Sequence, residues 1–217
     1  RLDVIVLAEP GRSSIVDGYA EGTVPPRYAG GLGAVGVRAL DAFVRGGGTL
    51  VCLNGASVFA IDELHLPVEN VVAELERDKF FASGSIVEVV PDSGHPVMAG
   101  MPARANVFIG RSPVFTTKEG FEGSALAKYP SSGSPLMSGY LLGEELLQGY
   151  AAALDVRHGD GRVLLIGFRP QWRGQPFGTF RILFNAILFH REATEGVTGT
   201  RDFWSAPSTD SSDEETR

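Results

Sequence analysis

The stretch that decides the fold is Gly46-Gly47-Gly48-Thr49-Leu50-Val51-Cys52-Leu53-Asn54-Gly55-Ala56-Ser57. A glycine-rich turn leads into Thr49 to Leu53, which is short, apolar and rich in β-formers, as a buried strand should be. Ala56 to Leu64 then continues with apolar residues at helical spacing. A strand that turns sharply into a helix is the geometry of a nucleophile elbow, and Asn54 occupies the expected apex.

Strand and helix patterns alternate on both sides of this stretch. Strands are predicted over Leu2–Ala8 and Arg162–Phe168, and helices over Ala34–Arg45 and Phe177–His190. This alternation predicts an α/β fold, a three-layer sandwich with a mainly parallel sheet and helices on both faces. The last helix is expected to pack into the core along a stripe made of Phe177, Phe180, Phe184, Ile187 and Leu188.

Turn chemistry and loop length add further detail. His158-Gly159-Asp160-Gly161 predicts an antiparallel hairpin at the end of the sheet, because glycine supplies the positive φ of tight turns. Glu9 to Gly33 is rich in Gly and Pro and predicts a long loop without regular elements, which suggests a site or an interface. Short strands are predicted in the middle of the chain, at Ser85–Val90, Ala105–Ile109, Ser124–Tyr129 and Pro135–Ser138.

Composition limits the classes of function. The 217 residues are 43% hydrophobic and 21% charged, which predicts one domain over residues 1–192, with a polar and largely disordered tail over 193–217. The net charge of −7 argues against binding nucleic acid, and no apolar run is long enough for a membrane span. A single cysteine excludes an internal disulfide and leaves the compartment open. Because the chain runs from Arg1 straight into a strand, we expect it to be part of a longer protein.

Several segments carry a resemblance to a known family. They are Pro25–Gly33, Leu40–Val44, Gly47–Val51, His95–Pro102, Arg111–Phe115, Gly167–Gln175 and Phe184–Ala186. Over roughly Leu2 to Phe189, the chain resembles the class I glutamine amidotransferase-like domain that is appended C-terminally to some bacterial zinc carboxypeptidases of the carboxypeptidase A type. The resemblance implies a flavodoxin- or amidotransferase-like fold more than an activity.

The resemblance also identifies the positions of a catalytic triad. Active relatives use a Cys at the elbow and a His and a Glu after the last strand, and the matching positions here are Asn54, Arg169 and Gln171. Asn is no usable nucleophile, Arg cannot accept a proton, and Gln cannot stabilise an imidazolium as a carboxylate does. The resemblance therefore implies a pseudoenzyme without catalytic residues.

The same resemblance implies a context for such a domain. It would be an accessory domain for packing, oligomerisation or ligand binding, with a neighbouring catalytic domain of the same polypeptide or a second copy as partner. Zinc is expected only in that separate catalytic domain, and an extracytoplasmic location, periplasmic or secreted, is implied. The four histidines of this chain are scattered and none begins a His-x-x-Glu pair, so we expect no metal site here.

A polar group near the end of the chain is the candidate ligand site. Its members are Arg111, Ser112, Arg169, Gln171, Trp172 and Arg173. Guanidinium groups bind carboxylates through paired hydrogen bonds, which would suit a small anion or a peptide carboxylate. The alternative is structural, with the arginines paired to local acids and Trp172 packed on the sheet edge.

Two other readings of function remain open at this point. In one, the elbow is shifted so that Cys52 becomes the nucleophile of a hydrolase or amidotransferase variant. Its neighbours Leu50 and Asn54 are larger than an elbow prefers, and we expect Cys52 to be a buried strand residue. In the other, Gly31-Leu32-Gly33-Ala34-Val35-Gly36 matches the G-x-G-x-x-G pattern of a nucleotide- or anion-binding loop, although no strand directly precedes it.

Overall fold

The computed structural model describes residues 2–191 of the chain, so the predicted tail lies outside the described residues. The helices are α1 (Arg12–Val16), α2 (Gly33–Arg45), α3 (Gly55–Glu63) and α4 (Phe180–Leu188). The strands are β1 (Val4–Leu7), β2 (Thr49–Leu53), β3 (Val68–Asn70), β4 (Phe81–Ala82), β5 (Ser85–Pro91), β6 (Ala105–Ile109), β7 (Phe115–Thr117), β8 (Gly123–Lys128), β9 (Leu136–Ser138), β10 (Leu141–Leu142), β11 (Ala151–His158) and β12 (Gly161–Ile166).

Ten of these strands form one sheet with the main order β1-β2-β12-β11-β8-β5-β6, while β4 and β10 form a separate pair. The pairs β1–β2 and β2–β12 are parallel. The next four pairs along the path are antiparallel. The strand direction reverses at each antiparallel pair. Of the seven strands in the main order, five therefore run in the same direction, namely β1, β2, β12, β8 and β6, and two run in the opposite direction, namely β11 and β5. The predicted α/β fold is confirmed, and the carboxyl ends of five strands share one edge of the sheet.

The predicted hairpin is present but its position differs from the expectation. Arg157 pairs with Arg162 and His158 with Gly161, so β11 and β12 are joined by the tight turn. These are the last strands in chain order, yet they lie in the interior of the sheet and not at its end. The reason is that β12 is apolar on both faces, and a strand of that kind is stable only where both faces are covered.

Helices cover both faces of the sheet, which confirms the three-layer arrangement. Successive residues of a strand face opposite sides, and β2 follows this rule. Its Leu50 and Cys52 join a core built with α1, α2 and α3. Val51 and Leu53 join the opposite core, to which α4 and the 3-10 turn Pro96–Met98 contribute. Because both of its faces are packed, β2 is buried along its whole length.

The orientation of α4 corrects one prediction. Ile182 and Ala186 face the sheet, whereas Phe184 is 58% exposed and Leu188 is 70% exposed. The stripe predicted to be buried therefore faces solvent in large part. The small side chain of Ala186 lets the helix lie close to the sheet, and Asn185 Nδ2 donates to the carbonyl oxygens of Val97 and Ala99 at 3.1 and 3.0 Å. These contacts select the face, because the helix is apolar nearly all round.

The segment from Glu9 to Gly33 is more regular than the sequence predicted. It contains the short helix α1, whose Ile15 is buried, and a 3-10 turn at Pro26–Tyr28. Burial of Ile15 against α3 and α2 gives this helix the tertiary support that its length alone could not supply. Within residues 2–191, no helix combines the length and apolar character that crossing a membrane requires.

Candidate functional site

Asn54 lies at the junction of β2 and α3 in an uncommon backbone conformation. Its φ is 50° and its ψ is −117°, and α3 begins at the next residue. The Asn54 N–H donates to the carbonyl oxygen of Ile166 in β12 at 2.7 Å, which holds the turn against the sheet. Gly55 is required here, because a Cβ at this position would lie 2.8 Å from the carbonyl oxygen of Glu9. The structure thus places Asn54 at the apex of a sharp strand-to-helix turn.

The side chain of Asn54 is held at both ends of its amide. Ser112 Oγ donates to Asn54 Oδ1 at 2.6 Å, and Asn54 Nδ2 donates to Glu9 Oε1 at 3.3 Å. Glu9 Oε1 also forms an ion pair with Nε of Arg169. Ser112 in turn accepts from the Gly110 N–H at 3.1 Å. The apex residue is therefore part of a connected polar network, which we call the apex network: Glu9, Asn54, Ser112 and Arg169.

The topology of the sheet explains why these four residues meet. Each follows a strand within three residues: Glu9 follows β1, Asn54 follows β2, Ser112 follows β6 and Arg169 follows β12. These four strands run in the same direction, so their carboxyl ends lie at one edge. Binding sites of open α/β sheets commonly lie at this edge. Sequence reasoning found Asn54, Ser112 and Arg169 but missed Glu9, whose only signal was an acidic residue directly after the first strand.

Strained backbone is concentrated around the apex network. Among residues 2–191, five non-glycine residues have positive φ, and three of them are Glu9 at 62°, Asn54 at 50° and Arg111 at 54°. A fourth, Arg173 at 50°, lies in the 3-10 turn that follows Arg169. Such conformations cost free energy and persist where the surrounding structure enforces them, often at functional sites. This concentration supports the carboxyl edge as the candidate site.

Trp172 and the arginines that lie over its ring form an aromatic and cationic group beside the apex network. Its ring is stacked on Phe108 with centroids 5.8 Å apart and planes within 9°. Cζ of Arg169 lies 4.3 Å from the centroid of the Trp172 ring, and Cζ of Arg173 lies 5.3 Å from it. Guanidinium groups over an indole ring are attracted by its quadrupole, so Trp172 positions both arginines.

The remaining predicted site residues are less engaged. Gln171 Oε1 is buried and has no hydrogen-bond partner among the described residues. The Arg111 side chain is exposed, and the N–H of this residue donates to the carbonyl oxygen of Ala82 at 3.3 Å. Within residues 2–191, the structure therefore links Ser112, Arg169, Trp172 and Arg173 to one another or to Asn54. It shows no comparable side-chain contact for Gln171 or Arg111.

Cys52 lies in the core, as the sequence predicted. It has no exposed surface and packs on the α1–α3 side of the sheet. Burial raises the pKa of the Cys52 thiol well above its usual value. A thiol that is neutral and inaccessible is a poor nucleophile, so this geometry disfavours the alternative with the shifted elbow.

The G-x-G-x-x-G segment has a packing role in the structure. Gly31 lies where a Cβ would be 2.6 Å from the carbonyl oxygens of Ile15 and Val16, and Gly33 begins α2. The Leu32 N–H donates to the Ile15 carbonyl oxygen at 2.9 Å. These glycines let the end of α1 approach the start of α2, and the nearby carbonyl oxygens would repel a phosphate.

A second buried polar cluster lies away from the apex. His95 Nδ1 accepts from the Val97 N–H at 3.1 Å, so the ring proton is on Nε2, which donates to Asp155 Oδ2 at 3.1 Å. Arg162 Nε donates to Asp155 Oδ1 at 3.1 Å. Asp155 and Arg162 also line a cavity of about 1310 Å³ that includes Thr49, at the amino end of β2. In the part of the chain that the structure describes, no three His, Cys, Asp or Glu residues are grouped to hold a metal ion.

Similarity to known proteins is visible in structure and not in sequence. The chain matches no protein-family model and no curated protein. It is similar to cytoplasmic protein STM3548 from Salmonella typhimurium, with a TM-score of 0.52 and 13% identity over 87% of this chain and 71% of that one. It is also similar to cytoplasmic protein STM1381 from Salmonella typhimurium LT2, with a TM-score of 0.52 and 14% identity over 88% of this chain and 72% of that one. At these identities, the similarity shows a shared fold.

A third solved structure is matched more loosely. It is a putative ThuA-like protein from Parabacteroides merdae ATCC 43184, with a TM-score of 0.45 and 14% identity over 90% of this chain and 73% of that one.

Proposed function

We propose that this chain is a noncatalytic amidotransferase-like domain that acts as an accessory, ligand-binding module of a larger protein. The observation that carries the proposal is the apex network, in which both ends of the Asn54 amide are hydrogen-bonded, at the turn that the family resemblance assigns to a nucleophile. A zinc carboxypeptidase-like domain is the neighbour that the sequence resemblance suggests. Zinc would then belong to that domain and not to this chain.

The chemistry of the apex network supports a noncatalytic role. Acyl transfer from glutamine needs a nucleophile and a base that removes its proton. The amide of Asn54 is a weak nucleophile because its nitrogen lone pair is delocalised. A guanidinium group cannot accept a proton, and that of Arg169 is paired with Glu9. The network therefore stabilises the loops at the carboxyl edge of the sheet, and within it no general base contacts a usable nucleophile.

The surface next to the network supports binding of a carboxylate. Arg111 and Arg173 are exposed, and neither guanidinium forms an ion pair with any acid within residues 2–191. Trp172 lies beside Arg173 and offers an aromatic surface for the apolar part of a ligand. A small anion or the carboxyl terminus of a peptide would match this combination of charge and aromatic surface. Arg169 is less available, because Glu9 already neutralises it.

An activity assay with Cys52 labelling tests the noncatalytic part of the proposal. We expect the purified chain to release no ammonia from glutamine above a buffer blank, while an active amidotransferase in the same assay does so. Iodoacetamide should modify Cys52 only after the chain is unfolded, because the native thiol is inaccessible. Ammonia release that disappears in Cys52→Ser or Asn54→Ala would overturn the proposal.

Calorimetric titration tests the ligand. The probe is a short acetylated peptide with a free carboxylate, compared with the same peptide as its C-terminal amide. We expect the acid to bind and the amide to bind at least tenfold more weakly, since one charge-assisted pair is worth about 1.5–3 kcal/mol. Arg173→Gln should weaken binding of the acid, and Arg38→Gln on the exposed face of α2 should not. Equal binding of acid and amide would remove the carboxylate site and leave the noncatalytic assignment standing.

A further inference from the structure

Among residues 2–191, no strand covers the outer edge of β1. Within the described residues, β1 pairs only with β2. The Thr49 N–H donates to the Asp3 carbonyl oxygen at 3.0 Å, so by the alternation of a parallel ladder the backbone groups of Val4 and Val6 point away from β2. The strand Val-Ile-Val-Leu carries neither the Lys nor the Pro that natural proteins use to protect an exposed edge.

An exposed apolar surface lies on the α4 side of this edge. Leu2 is 69% exposed and Val6 is 37% exposed. These residues alternate with Ile5, which packs on the opposite face, so they point to the face that carries α4. Val4, between them, packs against the same core as Ile182 of α4. The unprotected edge and unburied apolar side chains therefore occur together.

The flank of α4 that faces β1 is apolar as well. Arg181 and Asn185 bond to carbonyl oxygens of the 96–100 turn on one side of the helix. Ile182 and Ala186 face the sheet, so at 100° per residue Ile187 faces the other side. The residues that follow α4 lie at the amino ends of β1 and β2, because Thr49 Oγ1 donates to the His190 carbonyl oxygen at 2.8 Å and Arg191 Nη2 donates to Asp3 Oδ1 at 2.6 Å.

A single two-fold rotation would pair the free edge of β1 and also cover the apolar flank of α4. A two-fold axis perpendicular to the sheet and beside β1 brings β1 of a second copy alongside in antiparallel orientation. Antiparallel strands pair through the same outward groups, so Val4 and Val6 would gain partners. The same axis keeps both copies of α4 on one face and turns the two apolar flanks toward each other. A C2 contact is self-complementary, as this arrangement requires.

We propose that two copies of this chain associate through β1 into a continuous sheet, with the two α4 flanks covering the apolar surface beside it. At roughly 170 Å² per large side chain, the exposed fractions of Leu2, Val6 and Ile187 amount to about 250 Å² per copy. Doubled, this apolar area is well below the range of stable specific interfaces, about 1,200 Å², so we expect a weak dimer that depends on backbone pairing along β1. The association is independent of the proposed function.

Sedimentation velocity on the full chain, from about 1 to 100 µM, tests the proposal. The wild type should sediment as a dimer of the 23.1 kDa chain. Val6→Pro removes an outward N–H without removing a bond to β2, and Ile187→Glu places a charge in the helix contact. Both variants should be monomers with melting temperatures near that of the wild type. Val35→Glu, at an exposed position of α2 on the opposite face, should remain a dimer.

Hydrogen exchange shows where the contact lies. The amides of Val4 and Val6 should exchange at least tenfold more slowly in the wild type than in Ile187→Glu, while the amide of Ile5, bonded to β2, should exchange equally in both. A wild type that is monomeric at 100 µM overturns the proposal. So does a dimer that persists in both variants, or one in which the Val4 and Val6 amides remain unprotected.

Discussion

The hydroxyl of Ser112 donates a 2.6 Å hydrogen bond to Oδ1 of Asn54, a residue 58 positions earlier in the chain. This bond joins the carboxyl end of β6 to that of β2 and fixes the amide at the apex of the strand-to-helix turn. The other end of the same amide is bound by Glu9. Because Asn54 is hydrogen-bonded to two distant segments of the chain, we expect its substitution to lower the free energy of unfolding.

Two substitutions at Asn54 separate its hydrogen bonds from its backbone strain. Asn54→Ala removes both side-chain bonds and keeps a Cβ at a φ of 50°, and we expect it to lower the unfolding free energy by about 2–4 kcal/mol. Asn54→Gly loses the same bonds but adopts this φ without a steric cost, so it should be about 1 kcal/mol more stable than Asn54→Ala. Urea unfolding measures both. If the Gly variant is the less stable of the two, strain at the apex is not the cause.

We expect the buried carboxylate of Asp155 to contribute more to the free energy of unfolding than the exposed carboxylate of Asp160. Asp155→Asn removes the charge that Arg162 Nε contacts at 3.1 Å, and a buried pair broken at one partner costs about 3–5 kcal/mol. The double variant Asp155→Asn with Arg162→Met should recover part of the loss, because it removes the cation as well. Asp160→Asn, on the exposed hairpin turn, is the control and should change stability by less than about 0.5 kcal/mol. Equal losses in the single and double variants would contradict this account.

Asp41 should give the protein an acid-dependent component of stability. Burial acts to raise the pKa of Asp41, but hydrogen bonds from His158 and Arg45 and the charges of both outweigh it, so the pKa lies below the usual 3.8. The His158 Nε2 to Asp41 Oδ1 distance is 2.6 Å. Since the folded-state pKa is the lower one, the stabilisation is complete above the unfolded pKa near 4 and is lost as pH falls toward the folded value.

Urea unfolding of the wild type and of Asp41→Asn, between about pH 2.5 and 6, measures this component. The difference in unfolding free energy between the two should be constant above about pH 5 and should shrink as pH falls below about 4. Asp160→Asn controls for the loss of one acidic residue. A difference that does not change with pH would rule out the depressed pKa.

Gly18 and Gly22 form a matched pair in the segment between β1 and α2. Both have positive φ, 67° and 81°, but a Cβ on Gly18 would lie 1.9 Å from the Gly30 carbonyl oxygen while one on Gly22 would meet nothing within 4 Å. Gly22→Ala should therefore cost only the conformational penalty, about 1–2 kcal/mol. Gly18→Ala must also displace backbone and should cost more, by at least about 1 kcal/mol. Thermal unfolding compares them, and similar melting temperatures would show that the loop moves freely there.

Local patterns predicted the elements of the sheet well. Thr49–Leu53 and Ala105–Ile109 have the predicted bounds, and Gly123–Lys128 differs from its prediction by one residue at each end. Apolar residues between turn-forming ones determine such strands, and both signals lie within a few neighbouring residues. The apex at Asn54 was found in the same way, because small residues flank it on both sides of the turn.

Glu9 shows what those patterns leave out. No local signal connects an acid at the end of β1 with Asn54, 45 residues later, or with Arg169. Their contact depends on the order β1-β2-β12 in the sheet, which follows from long-range pairing. The exposed side of α4 is a similar case: Arg181 and Asn185 mark one polar side of the helix, but packing against the sheet decides which of the remaining apolar faces is buried.

By itself, the sequence determined the α/β alternation and the sharp turn at Asn54, because each depends on residue type and on nearby neighbours. Only the tertiary structure decided that Glu9 and Ser112 hold the apex amide, that the hairpin lies within the sheet, and that β1 and α4 leave an apolar edge exposed. These features arise from strand order and helix orientation, which are set by the balance of packing over the whole chain.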